Sequence, residues 1–134
     1  MQLIRVFLIF ILLLFATKLF AQTSGEDSVS HSNYLRVYID GITDWQDYVK
    51  VKMWYADYVR DPNSSQVQII ISKQSTASGG ARYTLFFLGK EYFTGKNDTL
   101  SYTSPLENTN RQTRDEIANE IEMGLMPYFA ANGQ

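Results

Sequence analysis

Residues 66–89 read QVQIIISKQSTASGGARYTLFFLG, and the rest of the domain is built around this stretch. Two runs rich in β-branched and aromatic residues, 67–72 and 83–89, flank a Ser- and Gly-rich tip, the pattern of an antiparallel hairpin closed by a longer loop. Ile69, Ile70 and Ile71 make both faces of the first arm apolar, and Leu85, Phe86, Phe87 and Leu88 do the same for the second. Strands apolar on both faces belong inside a sheet, so the hairpin is expected at its centre.

Upstream of the hairpin, residues 35–40 (LRVYID) alternate Leu35, Val37 and Ile39 with Arg36 and Tyr38, as a half-buried strand does. Residues 44–60 fit a helix by spacing: Trp45, Val49, Met53, Ala56 and Val59 recur every three or four positions. Thr43 or Asp44 is positioned to cap that helix, and Asp61-Pro62 stops it. Within it, residues 49–53 also alternate like a strand; the length of the window favours helix.

Downstream, residues 90–97 form a connection, and 99–103 (TLSYT) read as a last, polar strand at a sheet edge. Thr113-Arg114-Asp115-Glu116 matches a capping box, and the helix it opens carries Ile117, Ile121 and Leu125, with Ala118 and Gly124 beside them. Pro127 is expected to end regular helix, with fraying over 131–134. The sequence thus predicts a single small α+β domain over residues 34–130, in β-α-β-β-β-α order. Its mixed sheet has the hairpin at the centre and two helices packed on one face.

The chain has 134 residues. Residues 1–21 have the pattern of a secretory signal peptide: Arg5 in the n-region, an apolar run over 6–16, and a cleavage point before Gln22. Leu19, three residues before the cut, leaves an uncleaved anchor as the alternative. Residues 22–33 are a polar leader holding His31, the only histidine. Absence of cysteine removes disulfides, thiolate catalysis and lipid attachment, and an exported domain this small without disulfides suits a bacterial envelope. Formal net charge is -2 with both signs interspersed, so no basic face for nucleic acid is expected.

Reactive constellations are scarce. With its one histidine in the leader, the chain offers neither a histidine-based triad nor a multi-histidine metal site. Asp40, Asp44 and Asp47 could attract a hard cation, but they read more simply as a strand end and a helix start. Ser78-Gly79-Gly80 lacks the lysine and the following helix of a phosphate loop, and reads as a hairpin tip. No catalytic residue, metal or cofactor is therefore expected. Trp54 and Tyr58, four residues apart on the predicted first helix, would form an exposed aromatic patch for docking. The outer edge of 99–103, through Thr99, Ser101 and Thr103, would be open to a partner strand. Asp98-Thr99-Leu100 also matches an Asp-Ser/Thr-apolar O-glycosylation site, with Thr99 as the acceptor.

The pieces RVYID (36–40), YVRD (58–61), VQIII (67–71), GGARYTLFFLG (79–89) and DTL (98–100) resemble the N-terminal periplasmic region of uncharacterised Bacteroidota-type outer-membrane β-barrel proteins. The resemblance spans most of the chain after the signal peptide and implies a periplasmic domain working next to the outer membrane. It transfers no catalytic residue. Membrane contact would come only through the signal peptide or through a barrel lying beyond Gln134. The expected function is a non-enzymatic periplasmic or cell-envelope interaction domain partnered by an envelope or outer-membrane protein. The alternative is a small-ligand or glycan-binding domain using exposed aromatics.

Overall fold

The computed structural model describes residues 34–133. The predicted signal peptide and leader, including His31, and the terminal Gln134 lie outside the described residues. Five strands, β1 (Leu35–Asp40), β2 (Ala56–Tyr58), β3 (Val67–Ser75), β4 (Ala81–Gly89) and β5 (Asn97–Ser104), form one sheet in the order β2-β1-β3-β4-β5. Its helices are α1 (Gln46–Lys52) and α2 (Asn110–Asn132). β1 runs parallel to β2 and to β3, while β3, β4 and β5 are antiparallel neighbours, so the sheet is mixed and the α+β class holds.

The hairpin sits where its composition put it, with β3 in the middle of the sheet and β4 beside it. Its arms are longer than the apolar runs, extending to Ser75 and starting at Ala81. Each arm supplies the other's backbone partners, so polar residues such as Gln74 and Arg82 can continue the ladder into solvent. At the tip Thr76 N donates to Gly80 O at 2.9 Å and Gly79 N to Thr76 O at 3.0 Å, which spends these donors inside the turn.

Residues 44–60 depart from the prediction. A 3-10 turn (Thr43–Trp45) leads into the short α1, the chain turns after Met53, and Ala56–Tyr58 adds to β1 as a fifth strand. Neither Thr43 nor Asp44 caps: the residues preceding the turn and α1 are Ile42 and Trp45, without side-chain cap bonds. Helical spacing continued past Met53 in the sequence, but the outer edge of β1 needs backbone partners, and Tyr55-Ala56-Asp57-Tyr58-Val59 can supply them. Arg36 lies opposite Asp57 and Val37 opposite Tyr58, and Val59 N donates to Val37 O at 3.1 Å.

The second helix also differs at both ends. Its capping box lies one turn earlier, with Thr109 Oγ1 accepting from Gln112 N at 3.2 Å and Gln112 Oε1 accepting from Thr109 N at 2.9 Å. Thr113 is instead buried inside the helix, its hydroxyl 2.7 Å from that of Ser104. Nor does Pro127 end the helix, which continues to Asn132. Packing on both sides holds the last turn. Tyr128 meets Phe93 edge to face at 5.3 Å and donates to Lys96 O at 2.6 Å, and Phe129 meets Tyr55 at 5.1 Å.

One core results, on one face of the sheet. Leu35, Val37 and Ile39 of β1, Val67, Ile69 and Ile71 of β3, and Tyr83, Leu85 and Phe87 of β4 are buried with Val49 of α1 and Ile117, Ile121 and Leu125 of α2. Each full burial of a large apolar side chain contributes about 1.5–3 kcal/mol, and in a chain without cysteine this packing carries the fold. Gly124 lets α2 reach the sheet: a Cβ there would stand 2.1 Å from the Phe87 ring. The alternate residues of the strands, among them Tyr38, Ile70, Phe86 and Leu88, are half-buried or exposed on the opposite face.

Candidate functional site

β5 is the long edge of the sheet, paired only with β4. Gly89 N donates to Lys96 O at 3.1 Å, and that bond sets the phase of the ladder that follows. In an antiparallel pair, hydrogen-bonded and non-hydrogen-bonded residues alternate. Asn97, Thr99, Ser101 and Thr103 therefore turn their N–H and C=O groups away from β4. These four residues are exposed, and the register puts their side chains on the sheet face opposite the helices.

Both ends of this edge are tied down. Asn97 Oδ1 accepts from Gly89 N at 3.1 Å, and Asp98 Oδ1 accepts from Thr99 N at 2.7 Å, occupying the outward donor of Thr99. At the far end the buried Ser104 hydroxyl shares a hydrogen bond with Thr113. Tyr102 and Leu100 point to the core side and are half-buried, and Asn108 Nδ2 donates to the Tyr102 hydroxyl at 2.8 Å. The strand is thus anchored while the outward groups of Ser101 and Thr103 face no strand among the described residues. Lys96 before β5 and Pro105 after it limit the length a second strand could match.

Thr99, Ser101 and Thr103 are accordingly together on one edge and one face. Trp54 and Tyr58 are not brought together as a patch. Trp54 is 71% exposed in the turn after α1, edge-on to Tyr55 at 6.1 Å. Tyr58 lies in β2 on the helix side, packed against the core, and donates its hydroxyl proton to Met53 O at 3.3 Å. The physical cause is the strand that replaced the second half of the predicted helix: Trp54 is left in the turn before it, while Tyr58 is drawn into β2 and faces the core. Burial pushes the Tyr58 phenol far above its ordinary pKa, with the nearby Tyr55 adding to the shift. Tyr55 is raised to about 12, first by burial and then by Glu122, whose carboxylate accepts its hydrogen bond at 2.8 Å.

A second polar group joins the two helices. The Arg114 guanidinium stands 3.7 Å from the centre of the Tyr48 ring and donates to Asp115 Oδ1 at 3.0 Å. A hydrogen bond from Tyr48, and then Arg114, hold the Asp115 carboxyl below its usual range, while the same carboxylate raises the Tyr48 phenol. Lys52 Nζ donates to Asn119 Oδ1 nearby. These bonds fasten α1 to α2.

Among the described residues, no group of three or more His, Asp or Glu side chains could hold a metal ion, so Asp40, Asp44 and Asp47 do not form a cage. Asp47 is fully exposed, 4.0 Å from Lys50. Among the same residues no helix is long and apolar enough to cross a membrane. Composition marks Ile70, Phe86 and Leu88 as part of a second apolar face of the hairpin, but does not say that this face, joined by Tyr38, is the one the helices leave open. These residues occupy the off-phase positions of β1, β3 and β4, and only the location of the helices decides which phase is covered. No family model and no curated protein matches the chain.

Proposed function

We propose that this chain is a non-enzymatic interaction domain of the bacterial cell envelope, exported through residues 1–21, and that it works in the periplasm beside an outer-membrane protein or complex. A partner adds an extended segment to β5. The observation that carries this reading is the anchored, outward-facing edge of Thr99, Ser101 and Thr103. Main-chain bonds along an open edge supply affinity in strand addition, and alternate side chains supply selectivity. Each such bond nets only about 0.5–1.5 kcal/mol, so a short segment pairing with Ser101 and Thr103 binds weakly unless it also covers Phe86 and its neighbours. Phe86 is 39% exposed next to Thr99 in the register, which gives such a segment an apolar surface to cover.

The resemblance to the N-terminal periplasmic region of Bacteroidota-type outer-membrane proteins supports the same location and partner class. Modification of Thr99 belongs to this reading as well. Its side chain lies on the open face beside Phe86, so a sugar there leaves the outward groups of Ser101 and Thr103 free while taking up part of the surface next to Phe86. An intact mass from the native host without an added sugar would remove that part.

A photo-crosslinking residue in place of Thr103, used in intact envelopes of the native host, tests the main claim. It should yield one discrete adduct. Adding Ser101→Pro removes an outward N–H while leaving the bonds to β4 in place, because proline is tolerated on edge strands. The adduct should then disappear while the thermal midpoint changes little. An adduct that persists with Ser101→Pro would refute strand addition at β5.

A further inference from the structure

We propose that the crevice beyond the C-terminal end of β1 binds a neutral sugar ring, with Trp45 as its platform and Asp44 and Lys73 as its polar clamp. This site is separate from the β5 edge and does not depend on it.

The crevice follows from the strand order. The chain leaving β1 returns as β2 on one side, while β3 lies parallel on the other. The chain leaving β1 goes to β2 and the chain leaving β3 turns back as β4, so the two exits part to opposite sides and leave open the space outside the carboxyl ends of this parallel pair, the place where ligands collect in open α/β sheets. Here the divergence is sharpened by Gly41. It has φ +98, and a Cβ on it would stand 2.0 Å from the carbonyl oxygen of Ile71. The chain crosses against β3 and turns away into the Thr43–Trp45 turn, while β3 runs on to Ser75. Between them is a concavity of about 350 Å³, lined by Thr43, Asp44, Trp45, Lys73 and Tyr83. That is within the usual span of small-ligand pockets, about 300–1,000 Å³.

Its chemistry narrows the ligand. Trp45 and Tyr83 have ring centres 6.1 Å apart and tilted by 42°, so they meet at an angle and are not stacked flat on each other. Tyr83 is buried and Trp45 half-buried, which makes Tyr83 the floor and leaves part of the indole available. Lys73 Nζ lies 5.6 Å from the Tyr83 ring centre. Asp44 and Thr43 are exposed on the opposite lip, where a carboxylate accepts hydrogen bonds and a hydroxyl both donates and accepts. One carboxylate and one ammonium cancel, so the lining favours neither an anion nor a cation. A ligand that fits has one apolar face for the indole and a rim of hydroxyls that donate to Asp44 and accept from Lys73. A neutral pyranose has both. The crevice is open to solvent, so affinity should be modest, with Kd near ~1 mM.

The chain has two tryptophans, so Trp54→Phe leaves Trp45 as the sole indole reporter. Glucose, galactose, mannose and N-acetylglucosamine, with glucuronate as the anionic control, are titrated into this variant while indole fluorescence and the indole N–H resonance are followed. At least one neutral sugar should give a saturable change. Asp44→Ala with Lys73→Ala alters only exposed side chains, and should weaken that binding by about tenfold or more without lowering the thermal midpoint. Absence of saturation across the neutral series overturns the proposal. So does undiminished binding by the double variant, or saturation by glucuronate alone, which would mean the charge class is wrong.

Discussion

The two halves of the sheet are built by different means. On one side of β3, the parallel pair of β1 and β2 is joined by the short α1 and ends in a three-residue edge. On the other, β4 and β5 pair along most of their length and are backed by α2. The antiparallel half places long ladders and the inward rings of Phe87 and Phe93 under one continuous helix. The parallel half depends on a tight chain crossing at Gly41 and on side-chain bonds from α1 to α2. Surface is left for use in two places: the antiparallel half ends in an ordered, open strand, and a crevice opens where the chain leaving β1 turns away from the β3–β4 hairpin.

Substituting one glycine in each half compares them most directly. Gly41→Ala forces a side chain onto the Ile71 carbonyl at a φ that L-residues rarely adopt. Backbone cannot yield there without parting β1 from β3, so the expected loss is about 3 kcal/mol or more. Gly124→Ala meets the Phe87 ring, but alanine regains about 1 kcal/mol of helix propensity against an overpacking cost of about 1–3 kcal/mol. Urea midpoints of the two variants should therefore both fall, with Gly41→Ala the lower. The reverse order would mean that the crossing in the parallel half is more yielding than the helix contact in the other.

Thr113→Val probes the antiparallel half alone. It strips the buried Ser104 hydroxyl of its short hydrogen bond, leaving only a 3.4 Å contact with the Pro105 carbonyl. A loss of about 1–2 kcal/mol in chemical denaturation is expected. Ser104→Ala with Thr113→Val removes both partners and should recover part of it; a double variant no better than the single would show that the pair does not act through this bond.

Alkaline titration separates the halves more gently. Tyr55 and Tyr58 flank the parallel edge and Tyr128 lies under the antiparallel half; burial comes first among the causes that raise all three phenols. A folded protein that holds these protons more tightly than the unfolded chain, where phenols titrate near pH ~10, is stabilised fully below that pH. The stabilisation is lost as pH rises from there through the folded values, about 12 for Tyr55. Thermal midpoints should therefore fall over that window, and Tyr55→Phe should make the fall shallower. An unchanged slope in Tyr55→Phe would show that its phenol does not contribute.

Legibility followed the same division. The hairpin was readable because the apolar runs and the tip lie next to each other in sequence, and the polar edge was readable because TLSYT lacks the apolar faces of a central strand. In the parallel half, Val49 and Met53 had the correct burial, but the residues after them suit helix and strand alike, so local spacing misassigned Ala56–Tyr58. With that strand went the expected Trp54 and Tyr58 patch. The capping box slipped by one turn because Thr109-Asn110-Arg111-Gln112 and Thr113-Arg114-Asp115-Glu116 satisfy the same pattern. Only the bond between Ser104 and Thr113, nine residues apart, settles which threonine is buried.

Sequence alone determined the class of the domain, its central hairpin, its polar last strand and the residues of its long helix that face the core. These depend on local periodicity and on short-range turn chemistry. Tertiary structure decided what periodicity leaves open: that β1 takes a second parallel neighbour, that Gly41 crosses against Ile71, and which phase of the strands the two helices cover. Each depends on backbone groups or side chains distant in sequence finding partners, and that choice is made by the packed sheet as a whole. The open edge of β5 was visible in the chain; the crevice beside Trp45 came into being only when the strands were ordered.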